Sequence, residues 1–134
     1  MKNRSELREI IMKILYQVQI YEEAKVDYDL DELIKEQLEV ENSFVSDMVY
    51  GILDKKEELK SLANKYLIDW TIDRLSKVDQ AILELGIYEL MYTDTPSVVS
   101  INEAIELSKQ YSEESVSKMI NGVLDKIYHD EEKD

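Results

Sequence analysis

Apolar residues recur at helical spacing through most of the chain. Leu7, Ile10, Ile11, Ile14, Leu15 and Val18 fall on one face when wound at 100° per residue, an alignment that an α-helix produces and a strand does not. Asn3-Arg4-Ser5-Glu6 precedes this run with the spacing of a capping box, so the first helix is predicted to begin near Asn3. Met12, Tyr16 and Ile20 fall on the opposite face. A helix apolar on two sides is either sandwiched within its own domain or offers one side to a partner.

The same reading continues along the chain. Asp29-Leu30-Asp31-Glu32 opens a short helix with Leu30, Leu33, Ile34 and Leu38 inward. Asn42 or Ser43 caps a third, whose stripe is Phe44, Val45, Met48, Val49, Ile52 and Leu53, and the pattern runs on through Leu59, Leu62, Ala63 and Tyr66. Gly51 inside it costs up to about 1 kcal/mol relative to alanine, which close approach of a neighbouring helix would justify. After a turn over residues 69–75, Ser76-Lys77-Val78-Asp79 caps the most apolar segment. There Val78, Ala81, Ile82, Leu83, Leu85, Ile87, Tyr88, Leu90 and Met91 leave almost no polar face, as expected of a central helix. Thr93-Asp94-Thr95-Pro96 breaks the chain, Ser100-Ile101-Asn102-Glu103 has capping-box spacing, and Ser112-Glu113-Glu114-Ser115 precedes a last stripe of Val116, Met119, Ile120, Val123, Leu124 and Ile127. The pattern predicts an all-α fold of six or seven helices. Residues 1–128 form one domain, and 129–134 form a charged tail expected to be disordered.

Composition narrows the function. The 134 residues include one proline, three glycines and no cysteine, which excludes disulfides and thiolate metal sites and suits a reducing cytoplasm. The only histidine is His129, so a zinc site, a catalytic triad or a histidine base has nothing to be built on. No apolar run is long enough to span a membrane and no signal-peptide pattern opens the chain, so a cytoplasmic location is expected. Gly51, Gly86 and Gly122 are isolated, and none belongs to a phosphate-binding loop. Glu84 and Glu89 stand about 140° apart on one helix, so they do not converge as a catalytic pair, and a salt-bridged or partner-facing role is expected. No catalytic residue, metal ligand or cofactor site emerges, which points to a binding protein. The net charge of −14 should repel nucleic acid and attract basic partners, so any contact with nucleic acid must rest on a local cluster of cations.

Three stretches carry a specific likeness. Leu15-Tyr16-Gln17, then Ile82-Leu83-Glu84-Leu85-Gly86-Ile87-Tyr88-Glu89-Leu90, then Ser100-Ile101-Asn102-Glu103-Ala104-Ile105-Glu106-Leu107-Ser108-Lys109 followed by Asn121-Gly122-Val123-Leu124-Asp125 together resemble the NusB family in order, spacing and length. The resemblance implies a NusB-like bundle in two packed helical subdomains. It further implies a factor of bacterial transcription antitermination that pairs with NusE, also a small-subunit ribosomal protein. As a heterodimer the two would bind the boxA element of nascent ribosomal RNA and join RNA polymerase with other Nus factors. A related domain precedes the catalytic part of some ribosomal RNA cytosine methyltransferases. The sequence ends before such a part would begin, so methyl transfer is not expected.

Residue by residue, the family's arginine-rich start corresponds to Lys2, Arg4 and Arg8, interrupted by Glu6. Its second RNA-facing region corresponds to Tyr111, Ser115, Lys118 and Met119, where Tyr111 would stack on an unpaired base. Met119 stands where relatives often have an aromatic and Ser115 where they often have an acid; Met119 also fits the core stripe. The NusE-facing side is expected at Tyr16, Asp73 and Asp79, with the acidic surface steering a basic ribosomal protein. An alternative reading is a protein-interaction module of the same complex without direct RNA contact. An enzyme subunit dependent on a separate catalytic chain is a third, which no residue supports. Self-association as a homodimer is left open by the sequence.

Overall fold

Most of the capping signals set the helix starts. The structure is a computed structural model and describes residues 2–131. Asn3 caps α1 (Arg4–Ala24) by a reciprocal box, the Glu6 amide donating to Asn3 Oδ1 at 2.8 Å and the Asn3 amide to Glu6 Oε1 at 2.9 Å. Asp29 caps α2 (Leu30–Gln37), Asn42 caps α3 (Ser43–Asp54), and Ser76 caps α5 (Lys77–Tyr92). Between α3 and α5 lie α4 (Lys56–Tyr66) and a 3-10 turn (Ile72–Arg74); α6 (Ser97–Tyr111) and α7 (Glu114–Asp130) follow. The described residues thus form an all-α structure of seven helices and one 3-10 turn.

The N-terminal half packs α1 against α2 and α3, and the C-terminal half packs α5, α6 and α7 together. One apolar core runs through both halves, because α5 packs against α1, α3, α4, α6 and α7. Every residue from Asp79 to Ile87 is buried, which is why this helix reads as apolar on all sides. Gly51 has the close neighbour its position requires: a Cβ there would stand 2.0 Å from Tyr88 Oη of α5. Gly86 similarly admits α6 and α7, with Ala104 Cβ 3.1 Å and Leu124 Cδ1 3.2 Å from the place of its missing Cβ.

Three expectations need correction, and one open alternative divides. The third helix does not run on to Tyr66; the chain bends at Lys55 and α4 starts anew. Ile52 and Leu59 are seven residues apart and both fully buried, as in an unbroken helix, so the apolar period passes through the bend without registering it. Ser100 is not a cap. Proline's fixed backbone torsion starts α6 one turn earlier, the Val99 and Ser100 amides both donating to the Pro96 carbonyl, and Ser100 is buried within the helix. Met12 belongs to the core, leaving Tyr16 and Ile20 as the exposed part of the second stripe of α1. Lastly, α7 extends to Asp130, into the expected tail. Ile127 is fully buried, and Glu131 accepts hydrogen bonds from Lys65 and, at 2.5 Å, from Tyr66 of α4. Residues 132–134 of that tail lie outside the described residues, as does Met1.

Candidate nucleic-acid and partner interface

The expected phosphate-binding cations stand just before α1 and in its first two turns. Lys2 and Arg4 are exposed, and the Arg4 guanidinium lies 3.8 Å from the centre of the Phe44 ring. That stacking holds the planar group while leaving its edge free to donate. Glu6, which the sequence sets against these cations, spends one oxygen on the cap.

Arg8 is different. Only 5% of it is exposed, and it donates from Nε to Glu89 Oε1 at 2.8 Å, from Nη2 to Glu89 Oε2 at 2.5 Å and from Nη1 to Glu103 Oε1 at 3.2 Å. Burial alone would lower its pKa, but Glu89 and then Glu103 outweigh that and raise it. Ser5 donates to Glu103 at 2.5 Å and Thr95 to Glu89 at 3.0 Å, which extends the buried Arg8–Glu89 pair into a network reaching the surface and joining α1, α5 and α6. The structure thus holds Arg8, expected at the RNA surface, within this network. Its guanidinium is consumed by a bidentate pair and cannot turn to a phosphate without stranding a carboxylate in the core.

The second expected region lies at the α6–α7 junction. Tyr111, the last residue of α6, is 40% exposed, and its hydroxyl donates to Glu9 of α1. That bond raises the pKa of the phenol. With the Ser5–Glu103 contact, it ties the first turns of α1 to α6 at two places, so Arg4 and Tyr111 are carried by one braced pair of helices. Ser115 and Lys118 are exposed, and Lys118 lies 3.5 Å from Glu114 in a surface pair of little strength. Met119 is half-buried and packs on the core, which accords with its place in the apolar stripe. Two further exposed cations adjoin these regions: Lys13, 3.7 Å from Glu9, and Lys109, two residues before Tyr111. The sequence signal for them was their place on the polar faces of α1 and α6.

The expected partner side gathers the outer face of α1, the 3-10 turn and the start of α5. Tyr16 and Ile20 are exposed one turn apart on α1. Lower on α1, Gln19 donates to Gln80 at 2.8 Å and Glu23 pairs with Lys77 at 3.0 Å, fixing α1 to the start of α5. Asp73 stands at the surface and pairs with Lys60 at 3.1 Å. Asp79 is drawn inward instead, where its carboxylate accepts from the Ser112 hydroxyl and bridges α5 to the α6–α7 turn. The two carboxylates of α5 also part company. Glu89 is salt-bridged as expected, whereas Glu84 is 3% exposed and its Oε2 has no hydrogen-bond donor. Burial pushes the Glu84 carboxyl up to about 6, with Lys56 and Lys60 opposing the shift. Among the described residues no group of three or more His, Cys, Asp or Glu is placed to hold a metal ion, and no helix is long and apolar enough to cross a membrane.

Known proteins share this fold. The sequence profile of the NusB family matches residues 5–129. A transcription antitermination protein NusB from Lactococcus lactis is 49% identical over 100 residues, which cover 74% of this chain and about half the length of that relative (50%). Other NusB relatives are matched almost end to end at 37–41% identity. Among solved structures, NusB from T. maritima superposes with a TM-score of 0.82 at 33% identity, covering 96% of this chain and 92% of its own. A chain in a crystal structure of antitermination factors NusB and NusE in complex with double-stranded RNA gives a TM-score of 0.79 at 27% identity, with 94% of this chain and 96% of that one covered. The two-part helical bundle, its blocks of α1, α5, α6 and α7, and these matches agree: the chain belongs to the NusB family.

Proposed function

We propose that this protein is a transcription antitermination factor that pairs with NusE. The pair binds the boxA element of nascent ribosomal RNA and joins RNA polymerase with other Nus factors in the cytoplasm. The observation that carries this reading is the match, over nearly the whole of both chains, to a structure of NusB and NusE with RNA. The RNA lies against Lys2 and Arg4 at the start of α1 and against Tyr111, Ser115 and Lys118 at the α6–α7 junction. Met119 supports that junction from the core side, and Arg8 holds α1 in place from beneath. NusE takes the side marked by Tyr16 and Asp73, with Asp79 bracing the start of α5. The protein acts by binding rather than as an enzyme.

Charge decides how the work is divided. With a net charge of −14 and Arg8 withdrawn, few free cations remain to neutralise phosphates, so the partner supplies much of the positive charge. The withdrawal of Arg8 also favours the second reading, an interaction module without direct RNA contact. Fluorescence anisotropy of labelled boxA RNA with this protein, with NusE and with their mixture separates the two. Binding that is strong only in the mixture and weakens steeply with salt supports the shared site. An RNA that ignores a mixture in which the two proteins associate leaves the interaction module. RNA binding by this protein alone as tight as by the mixture overturns the division of charge.

A further inference from the structure

The buried carboxylate of Glu84 has a use that its own chain does not satisfy. It lies on α5 beneath α1 and α4, 3% exposed, with Oε2 lacking any donor. Leaving a charged acceptor unpaired in a core is costly, and such a group is retained where something else completes it. The charged groups that face it are Glu22 of α1, Lys56 and Lys60 of α4, and Asp73 of the 3-10 turn. Both lysines are engaged elsewhere: Lys60 Nζ lies 3.1 Å from Asp73 and Lys56 Nζ 3.4 Å from Glu22.

The layering of these pairs is asymmetric. The Asp73 side chain is 68% exposed over a Lys60 that is 24% exposed, and Glu22 is 48% exposed over a Lys56 that is 20% exposed. In each pair the carboxylate side chain is the more exposed member, and both lysines act electrostatically on Glu84. A cation arriving from solvent meets the carboxylates first. Once they are taken, the two ammonium groups have an unpaired acceptor below them.

We propose that Glu22 and Asp73 form a docking surface for an arginine- or lysine-bearing partner protein, which takes these carboxylates from above while Lys60 and Lys56 turn inward onto Glu84. The inference rests on the reading that this chain pairs with NusE, and adds a residue through which that pairing is coupled to protons. In the free protein burial holds the Glu84 carboxyl near 6, so that it is largely protonated in mildly acidic solution. As an ammonium turns onto it, the carboxyl gives its proton to solvent and remains as the carboxylate. Docking therefore releases a proton below neutral pH and tightens as the pH rises.

If docking returns Glu84 to its ordinary value of 4.5, linkage makes association about eightfold tighter at pH 7.5 than at pH 5. The test is isothermal titration calorimetry of the full chain with recombinant NusE from the same organism, across pH 5 to 7.5, in two buffers of different ionisation enthalpy. The wild type is expected to show this gain in affinity and to release most of a proton near pH 5. Glu84→Gln is expected to bind NusE with that pH dependence and proton release largely removed. Its fold is safeguarded, because it removes a buried charge rather than adding one. Equal pH dependence and equal proton release in wild type and Glu84→Gln overturn the inference while leaving the pairing intact. Failure of both proteins to bind NusE at any pH overturns the pairing, and the inference with it.

Discussion

Replacing Arg8 by alanine separates a cation that holds the fold from one that holds RNA. The substitution removes three hydrogen bonds, two to Glu89 and one to Glu103. Glu103 keeps the Ser5 hydroxyl, but Glu89, 1% exposed, is left with Thr95 alone. Removing one partner from a buried pair strands the other charge, at about 3–5 kcal/mol. A domain of this size has about 5–15 kcal/mol of stability in all, so roughly a fifth of it or more is at stake. Urea unfolding followed by circular dichroism should show the midpoint falling with its slope unchanged. Replacing both members, Arg8→Met with Glu89→Leu, should recover most of the loss, since no charge is then stranded. The reasoning is refuted if Arg8→Ala unfolds within about 1 kcal/mol of wild type while the salt dependence of RNA binding falls by a full phosphate contact.

Other consequences follow from buried neighbours. Because burial raises the Glu84 carboxyl from 4.5 to about 6, the ionised form is disfavoured in the folded state, and this group's contribution to stability falls as the pH rises through that interval. Glu84→Gln should thus be up to about 2 kcal/mol more stable than wild type at pH 7.5, with the advantage shrinking towards pH 4.5; denaturant titrations at the two pH values measure it. Gly51→Ala places a methyl 2.0 Å from Tyr88 Oη and forces that ring from its stack on Tyr92, so a net loss of about 1–2 kcal/mol is expected despite alanine's better helix propensity. Gly122→Ala meets nothing within 4 Å and should stabilise α7 by up to about 1 kcal/mol, which thermal melts of the two variants would show as shifts of opposite sign.

How far the sequence carries depends on whether a feature is local. Asn3 with Glu6 and Ser76 with Asp79 announce helix starts because a cap bonds within its own turn. The central place of α5 is legible because nine consecutive positions, Asp79 to Ile87, have neighbours on every side. The bend at Lys55 is hidden because the chain turns between two buried residues that keep helical register. Ser100 reads as a cap by spacing, but Pro96 has already started the helix, and spacing does not rank two competing starts. Arg8 shows the limit most clearly. Next to Arg4 it looks like part of a basic cluster, yet its partners are 81 and 95 residues away, a separation no local pattern encodes. The same holds for Asp79, whose partner Ser112 lies on the far side of α6, and for Glu84, whose lack of a donor shows only once α1 and α4 cover it.

The central claim is that Lys2 and Arg4, and not Arg8, carry phosphate contacts at the start of α1 within a complex shared with NusE. The most direct test is the slope of log affinity against log salt for boxA RNA bound by the mixture of both proteins, in wild type and in Lys2→Ala with Arg4→Ala. Each lost phosphate contact lowers the slope by about 0.7 for single-stranded RNA, so the double variant should show a slope shallower by about 1.4 with NusE association unchanged. A slope identical to wild type would contradict the account and move the RNA off the first turn of α1.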